Sequence, residues 1–503
     1  MPEIILSTLN AKHIHASLGL RYLYANLDEL QPRAAIREFT IEPWPIDVAE
    51  QLLAEQPRII GLGVYIWNVE RTQQLVTLLK QISPQTLIIL GGPEVSHEWQ
   101  GQPLVEQSDY LITGQGDLAF AQLCRQLLQG ERPIQKVIEA PPPPLDALQL
   151  PYAHYSDQDI AHRLIYVEAS RGCPFKCEFC LSALDKSARP FPRERFMQAL
   201  EQLYQRGVRH FKFVDRTFNL NPEQSVALLK FFLTRLDEQL FLHFEVIPDH
   251  LPERLRAVLK RFPTGSLQLE IGIQSFNPEV QKIISRKQDN DKSRANLHWL
   301  RTETQAHLHA DLIIGLPGED MHSFADSFDR LVALAPHEIQ VGILKRLKGS
   351  PIIRHSEPFR MRYNPAAPYN ILCTDRIDFP TMQRLNRFAR YWEMIANSGR
   401  FPQTLPLLLG EQPFKRFMQL SDWLFANTGQ VHRIALKRLF ELLYTGSVES
   451  LEIDPAAARQ TLESDFSRSG IKGRPTFSQP VSPSDADTAD RTVRLSTRQA
   501  RHR

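Results

Sequence analysis

Cysteine is scarce in this sequence. Five occur in 503 residues, too few for a disulfide framework, and three of them crowd together at Cys173, Cys177 and Cys180. Long hydrophobic runs are missing too: nothing approaches the roughly 20 apolar residues that span a bilayer, so no membrane association is expected. The opening Met1-Pro2-Glu3 lacks the basic-then-apolar order of a secretory signal. A cytoplasmic location is therefore expected, where thiols stay reduced. Charge of one sign is also absent. Lys and Arg number 59 against 57 Asp and Glu, a net charge of +2, which argues against nucleic acid as a partner. What remains is a globular composition, 42% hydrophobic and 23% charged, at a length that suggests about three domains.

Residues 1–135 alternate short apolar runs with amphipathic segments, the pattern of an open, doubly wound α/β sheet of flavodoxin-like type. Strands are expected at Ile4-Ile5-Leu6, 59–66, 87–90 and 110–112. Leu75, Leu78, Leu79 and Ile82 recur at the spacing of a helix packed on that sheet. Ligands of such sheets sit at the carboxyl ends of the strands, where Gly91-Gly92-Pro93-Glu94 and Gly114-Gln115-Gly116-Asp117 would lie. Pro141 to Pro144 lack donors for helix or central strand, and residues 136–158 are read as a linker. A barrel domain is expected over 159–354 and a mostly α-helical domain over 355–468. Residues 469–503, with almost no large apolar groups, should be disordered.

The densest chemistry is Ser170-Arg171-Gly172-Cys173-Pro174-Phe175-Lys176-Cys177-Glu178-Phe179-Cys180, directly after the apolar run Ile165-Tyr166-Val167. A tetrahedral zinc site would want a fourth ligand, whereas a four-iron cluster on three thiolates keeps one iron open for a small molecule. A zinc knuckle is the alternative reading. Beyond this loop the chain repeats strand, loop and helix, with strands expected at 210–214, 242–247, 267–273, 308–314 and 339–344. Asp215 to Asn219 form a polar cluster at one strand's carboxyl end, the rim where barrel enzymes carry their chemistry. The basic stretch Lys345 to Pro351 is either a solvated rim or a contact for an anionic substrate.

The Cys-x3-Cys-x2-Cys spacing, with Phe179 before the third cysteine, resembles the signature of the radical S-adenosylmethionine (SAM) superfamily. That resemblance implies an incomplete (β/α)6 barrel of TIM type. It also implies a [4Fe-4S] cluster on Cys173, Cys177 and Cys180, and SAM cleaved to a 5′-deoxyadenosyl radical. Phe179 would lie at the SAM site. Glu245, Gln274, Arg286 and Asp311 resemble SAM contacts of the coproporphyrinogen-dehydrogenase-like branch: Glu245 for the ammonium, Arg286 for the carboxylate, Gln274 and Asp311 for the ribose hydroxyls. Gly315-Leu316-Pro317-Gly318-Glu319 would run near the adenine. The upstream loops, with His15 and Gly19, resemble the cobalamin-binding domain that precedes many radical SAM cores in a class B-like arrangement. Gly91, Gly92, Glu94, Gly114 and Gly116 would then contact cobalamin. The Asp-x-His-x-x-Gly pattern of histidine-ligated corrinoid domains is missing around Asn10, His13 and His15, so a corrinoid without a protein axial nitrogen is expected.

The expected activity is methyl transfer to an unactivated centre of a small-molecule substrate, fed by a flavodoxin- or ferredoxin-type electron donor. A radical cyclase or rearrangement enzyme without methylation is the alternative in the same class. A non-enzymatic corrinoid- or zinc-binding regulatory protein is the alternative outside it. A methylthiotransferase would need three more cysteines in the first domain, where Cys124 stands alone.

Overall fold

The aliphatic runs of the first 140 residues are buried on both faces, as strands between two helical layers must be. In the computed structural model, which describes residues 1–478, they form β1 (Ile4–Asn10), β2 (Ala34–Thr40), β3 (Ile59–Gly63), β4 (Leu87–Gly91), β5 (Tyr110–Gly114) and β6 (Val137–Ala140). All are parallel, in the order β2-β1-β3-β4-β5-β6. Ile5, Ile60, Leu62, Ile88 and Leu90 share one core with Val48, Leu52, Leu75 and Leu79 from helices Pro45–Leu53 and Val69–Ile82. Ile4, Leu6, Ile59, Ile89 and Ile112 meet Leu20, Phe120, Leu123 and Leu127 in a second. Strand order reverses at β1, which lies between β2 and β3, and that is where open sheets take ligands. The edge strand β2 was not expected from sequence. β6 occupies the start of the stretch read as linker and ends at the four prolines.

The chain divides into two compact units. The first holds residues 1–216 with 345–353 and 364–370; the second holds 217–344, 354–363 and the residues from 371 on. Within the first unit the sheet is followed by β7 (Ile165–Val167), β8 (Ser170–Arg171), β9 (Arg189–Pro190) and β10 (His210–Phe213). β7 and β10 pair in parallel, whereas β8 and β9 form a short antiparallel ribbon whose connection carries the three cysteines. Of the basic stretch, Lys345 is exposed, whereas its other two cations are paired. Lys348 Nζ lies 2.8 Å from Glu94, Arg346 pairs with Glu98, and the Gly349 amide donates to Glu98 at 3.0 Å. These two cations neutralise two carboxylates of the first domain.

In the second unit β11 (Phe241–Val246), β12 (Leu267–Gln274), β13 (His307–Ile314) and β14 (Glu338–Ile343) run parallel in that order. With β7 and β10 these are the six strands expected of the second α/β segment. Leu267, Leu269, Ile271 and Ile273 are buried and alternate with the half-buried Gln268, Glu270, Gly272 and Gln274. One face of this sheet is therefore apolar and the other polar. Helices Phe379–Ile395, Thr404–Leu409, Pro413–Thr428, Leu436–Glu449 and Pro455–Arg468 make up the helical C-terminal part. Edge-on aromatic contacts bind it, such as Phe328 to Trp392 at 4.7 Å and Phe388 to Phe417 at 5.2 Å between ring centroids. The fully buried Asp465 accepts hydrogen bonds from Thr404 N and Oγ1 at 2.9 and 2.7 Å, tying one helix start to the last helix. Among the described residues no helix is long and apolar enough to cross a membrane. Of the segment expected to be disordered, residues 479–503 lie outside the described residues.

Candidate active site

Three soft donors on one short loop are the first element of the site. The Cys173 amide donates to Asp185 O at 2.8 Å and the Cys180 amide to Cys177 O at 3.1 Å, which curls the loop on itself. Cys173 and Cys177 are buried, Cys180 is half-buried, and none is in a disulfide. Burial pushes the Cys173 thiol above its ordinary value, and the neighbouring Cys180 and Cys177 push it further, against the Phe175 amide and the Arg216 charge. The three sulfurs thus feel one another. Among the described residues no group of three or more His, Cys, Asp or Glu side chains is placed to hold a single metal ion. A four-iron cluster makes a different demand, with its thiolates spread over separate corners. Three thiols on one loop suit that group. Phe179 sits half-buried beside Cys180. Cys124, by contrast, is packed inside helix Ala119–Leu128 and pushed up to about 12 by burial.

The second element is a cavity of ≈ 510 Å³ inside the first unit. Its floor is the carboxyl end of the sheet, where β3, β4 and β5 each end in glycine: Gly63, Gly91 and Gly114. Gly114 has φ +76, and a Cβ there would run into Ala140 O, so this position requires glycine. Gly19, Gly92 and Gly116 also line it, and the facing wall carries Ser170, Arg171, Gly172, Asp215 and Arg216. A floor whose strand ends are glycine lets the backbone approach a large planar ligand like a corrinoid closely. Tyr65, stacked on Trp67 at 4.5 Å between centroids, is part of the wall.

Two of the expected cobalamin contacts lie elsewhere. Glu94 is buried away from the cavity, where its carboxylate accepts from Tyr369 Oη at 2.5 Å and pairs with Lys348, as a buried charge requires. His15 bonds Tyr166 Oη through Nδ1 at 2.7 Å and does not line the cavity either. Among the described residues no histidine lines it. Two acids lie near the thiolate loop: Asp215, expected on the rim from sequence, and Glu168, which sequence reasoning missed. Burial pushes Asp215 up to about 6, against hydrogen bonds from Ser170 Oγ (2.6 Å) and Ala169 N (2.9 Å). Glu168 is pushed up to about 7 by burial, against the charge of Arg171.

The second unit gathers the other candidates. Arg286 Nη2 donates to Gly272 O and Arg286 Nε to Gln288 Oε1 at 2.9 Å. Gln274 folds back over Gly272, at a left-handed φ of 68°, and Gly272 is in register with Asp311. Buried Gln274 Oε1 and Asp311 Oδ1 have no hydrogen-bond partner. Asp311 Oδ1 lies 3.3 Å from His309 Nε2, an ion-pair distance without hydrogen-bond alignment. Two buried acceptors that lack a hydrogen-bond partner suit the hydroxyls of a ribose. Burial raises the Asp311 pKa against the pull of His309, and the charges of Glu270 and Glu245 raise it further.

Glu245, Glu270, His309 and Glu338 form one row across β11 to β14, with His243 Nε2 on Glu270 at 2.9 Å. Burial opposes the imidazolium of His309, yet Asp311, Glu338 and Glu270 outweigh it and raise its pKa. Only Glu245 of this row was foreseen; the period-2 placement of the others on the same strands was the available signal. Glu319, in the loop after β13, is fully buried and accepts from Ser275 Oγ at 2.6 Å. Burial pushes it up to about 8.

Two family models match the stretches that carry these elements. Residues 5–124 match the family model described as B12 binding domain, and residues 167–331 the one described as Radical SAM superfamily. The chain joins a B12-binding domain to a radical SAM domain. The first implies cobalamin, the second a [4Fe-4S] cluster and SAM. Residues 357–499 match a model described as Protein of unknown function (DUF4080). Among curated relatives, the 2-(S-pantetheinyl)-carbapenam-3-carboxylate methyltransferase of Streptantibioticus cattleyicolor is 26% identical over 374 residues, 66% of this chain and 54% of the relative. The cobalamin-dependent radical SAM methyltransferase TokK of Streptomyces tokunonensis is 24% identical over 369 residues, 65% of this chain and 53% of the relative. The chain thus spans about half the length of these two relatives. The solved structure of the cobalamin-dependent S-adenosylmethionine radical enzyme OxsB with aqua-cobalamin shares the fold, at TM-score 0.63 and 13% identity over 93% of this chain and 84% of that one.

Proposed function

We propose that this protein is a cobalamin-dependent radical SAM methyltransferase acting on an unactivated carbon or phosphorus of a small molecule. The observation that carries the reading is the glycine floor formed by the ends of β3, β4 and β5, which faces the residues leading into the thiolate loop across one cavity of the first unit. The two curated relatives are both methyltransferases. Bound SAM and cobalamin supply, respectively, a radical that removes a substrate hydrogen and the methyl group that replaces it.

The chain's own residues bind, orient and exclude water. Cys173, Cys177 and Cys180 would hold the cluster, and Phe179 would lie at the SAM site. Glu245 receives the SAM ammonium, Arg286 the carboxylate, and Gln274 with Asp311 the ribose hydroxyls, where their unpartnered oxygens are satisfied. Gly19, Gly91, Gly92, Gly114 and Gly116 carry the corrinoid. A flavodoxin- or ferredoxin-type protein supplies the electron, and the reduced thiols suit the cytoplasm.

Products test this reading. Anaerobically reconstituted protein with its substrate should release S-adenosylhomocysteine together with 5′-deoxyadenosine. Release of 5′-deoxyadenosine alone would replace methyl transfer with a rearrangement.

A further inference from the structure

Arg171 is not among the residues expected to hold either cofactor, although it lines the cavity wall, and it is anchored on several sides. It lies on β8, two residues before Cys173. Its guanidinium reaches the loop that ends the glycine floor: Nη1 and Nη2 grip the two oxygens of Asp117 at 2.9 and 3.0 Å, and Nη1 also donates to Gln115 Oε1 at 3.4 Å. Nε donates to Glu168 Oε2 at 3.0 Å, and the planar group stacks over Tyr22 at 4.5 Å. Both side chains of the fork are nearly sealed from solvent, Arg171 at 11% and Asp117 at 8% exposure.

There is no slack between this fork and the first thiolate. Gly172 has φ +90, and a Cβ on it would run into Ser187 O. The Cys173 amide is fixed to Asp185 O, and Asp185 in turn accepts from Gln115 Nε2 at 3.1 Å. Arg189, opposite Arg171 across the β8–β9 ribbon, also reaches Gln115 Oε1 at 3.4 Å. Loop 114–117 on the floor and the backbone entering the thiolate loop are therefore held in one register, with the Arg171–Asp117 fork as the strongest tie.

We propose that Arg171, paired with Asp117, is a positioning residue that fixes the gap between the corrinoid on the glycine floor and the cluster on the thiolate loop. This rests on the reading of the cavity as a corrinoid site. Two cofactors that must serve one substrate need a set separation, and an error of about 1 Å in such geometry costs about 10²-fold in rate. Lysine preserves the charge but not the planar two-point grip, so Arg171→Lys separates spacing from electrostatics. Asp117→Asn loosens the same tie from the other side without touching the thiolate loop.

The test is electron paramagnetic resonance on anaerobically reconstituted, cobalamin-loaded protein, reduced so that cob(II)alamin and the reduced cluster are both paramagnetic. Relaxation enhancement of the cobalt signal by the cluster reads their separation. Wild type should show one strong, uniform enhancement. R171K and D117N should each bind both cofactors at wild-type levels, show a weakened and heterogeneous enhancement, and turn over about 10²-fold more slowly. Wild-type enhancement in both variants would overturn the proposal. So would outright loss of one cofactor in either variant, since the fork would then belong to that cofactor's own binding site. Wild-type protein that holds a cluster but takes up no corrinoid would instead refute the cavity reading, and the proposal with it.

Discussion

Replacing Glu319 with glutamine should make the protein more stable as pH rises, and the structure gives the size of the effect. Glu319 is fully buried, its Oε1 accepts from Ser275 Oγ, and burial lifts its pKa from 4.5 to about 8. Below pH 4.5 the carboxyl is neutral in both folded and unfolded chains, and its contribution to stability is fully present. Between there and about 8 the unfolded chain releases a proton that the native state retains. Stability therefore falls as pH rises through that window. At about 1.4 kcal/mol per pH step, the full loss is roughly 3 to 5 kcal/mol by pH 8.

Glutamine copies the neutral form and keeps the acceptor for Ser275, so E319Q should escape that loss. Thermal melting of cofactor-free protein, followed from pH 5 to pH 9, is the assay. Wild type and E319Q should melt together at the acid end and separate by about 3 to 5 °C at the alkaline end, with the variant higher. Ser275 follows Gln274, whose left-handed backbone presents an unpartnered amide oxygen. SAM affinity of the wild type should therefore weaken above pH 8 while that of E319Q holds. Parallel melting curves across the whole range would refute the reasoning, because they would mean that Glu319 is not held neutral by the fold.

Gly91→Leu adds a side chain without straining the backbone, since a Cβ there meets only Ile112 O at 3.6 Å; corrinoid retention should drop by about tenfold or more with an unchanged cluster content, measured by extraction and absorbance. His15→Ala should leave the cob(II)alamin resonance unchanged, because His15 is bonded to Tyr166 and no histidine among the described residues lines the cavity; an imidazole-nitrogen hyperfine pattern in wild type that disappears in the variant would contradict this. Asp311→Asn and Gln274→Ala should each weaken SAM binding about 10- to 100-fold, read by equilibrium dialysis, with iron and sulfide content unaltered.

Much of this was legible in the sequence because the informative signals were local. The Cys173, Cys177 and Cys180 spacing lies on one loop, and the aliphatic runs of β1, β3, β4 and β5 are continuous because those strands are buried on both faces. β2 escaped notice for the converse reason: as an edge strand, Ala34–Thr40 is only half-buried and mixes Arg37 and Glu38 among its apolar residues. Glu94 misled because a carboxylate beside Gly-Gly-Pro reads as a ligand contact, whereas its partners Lys348 and Tyr369 stand more than 250 residues away in sequence. Pairing at such separation leaves no trace in a local pattern. Arg171 was visible as a letter of the motif, but its role depends on Asp117 across the cavity. The row of Glu270, His309 and Glu338 could have been found by reading the polar positions of successive strands together rather than strand by strand.

The account stands on three thiolates that hold an iron–sulfur cluster with one site left open for SAM. The most direct test is low-temperature electron paramagnetic resonance of the anaerobically reconstituted, reduced protein, recorded before and after SAM is added. A reduced four-iron signal should appear, change its g values when SAM binds, and vanish when Cys173, Cys177 or Cys180 is replaced by alanine. A protein that binds zinc with no such signal, or a cluster signal indifferent to SAM, would contradict the account.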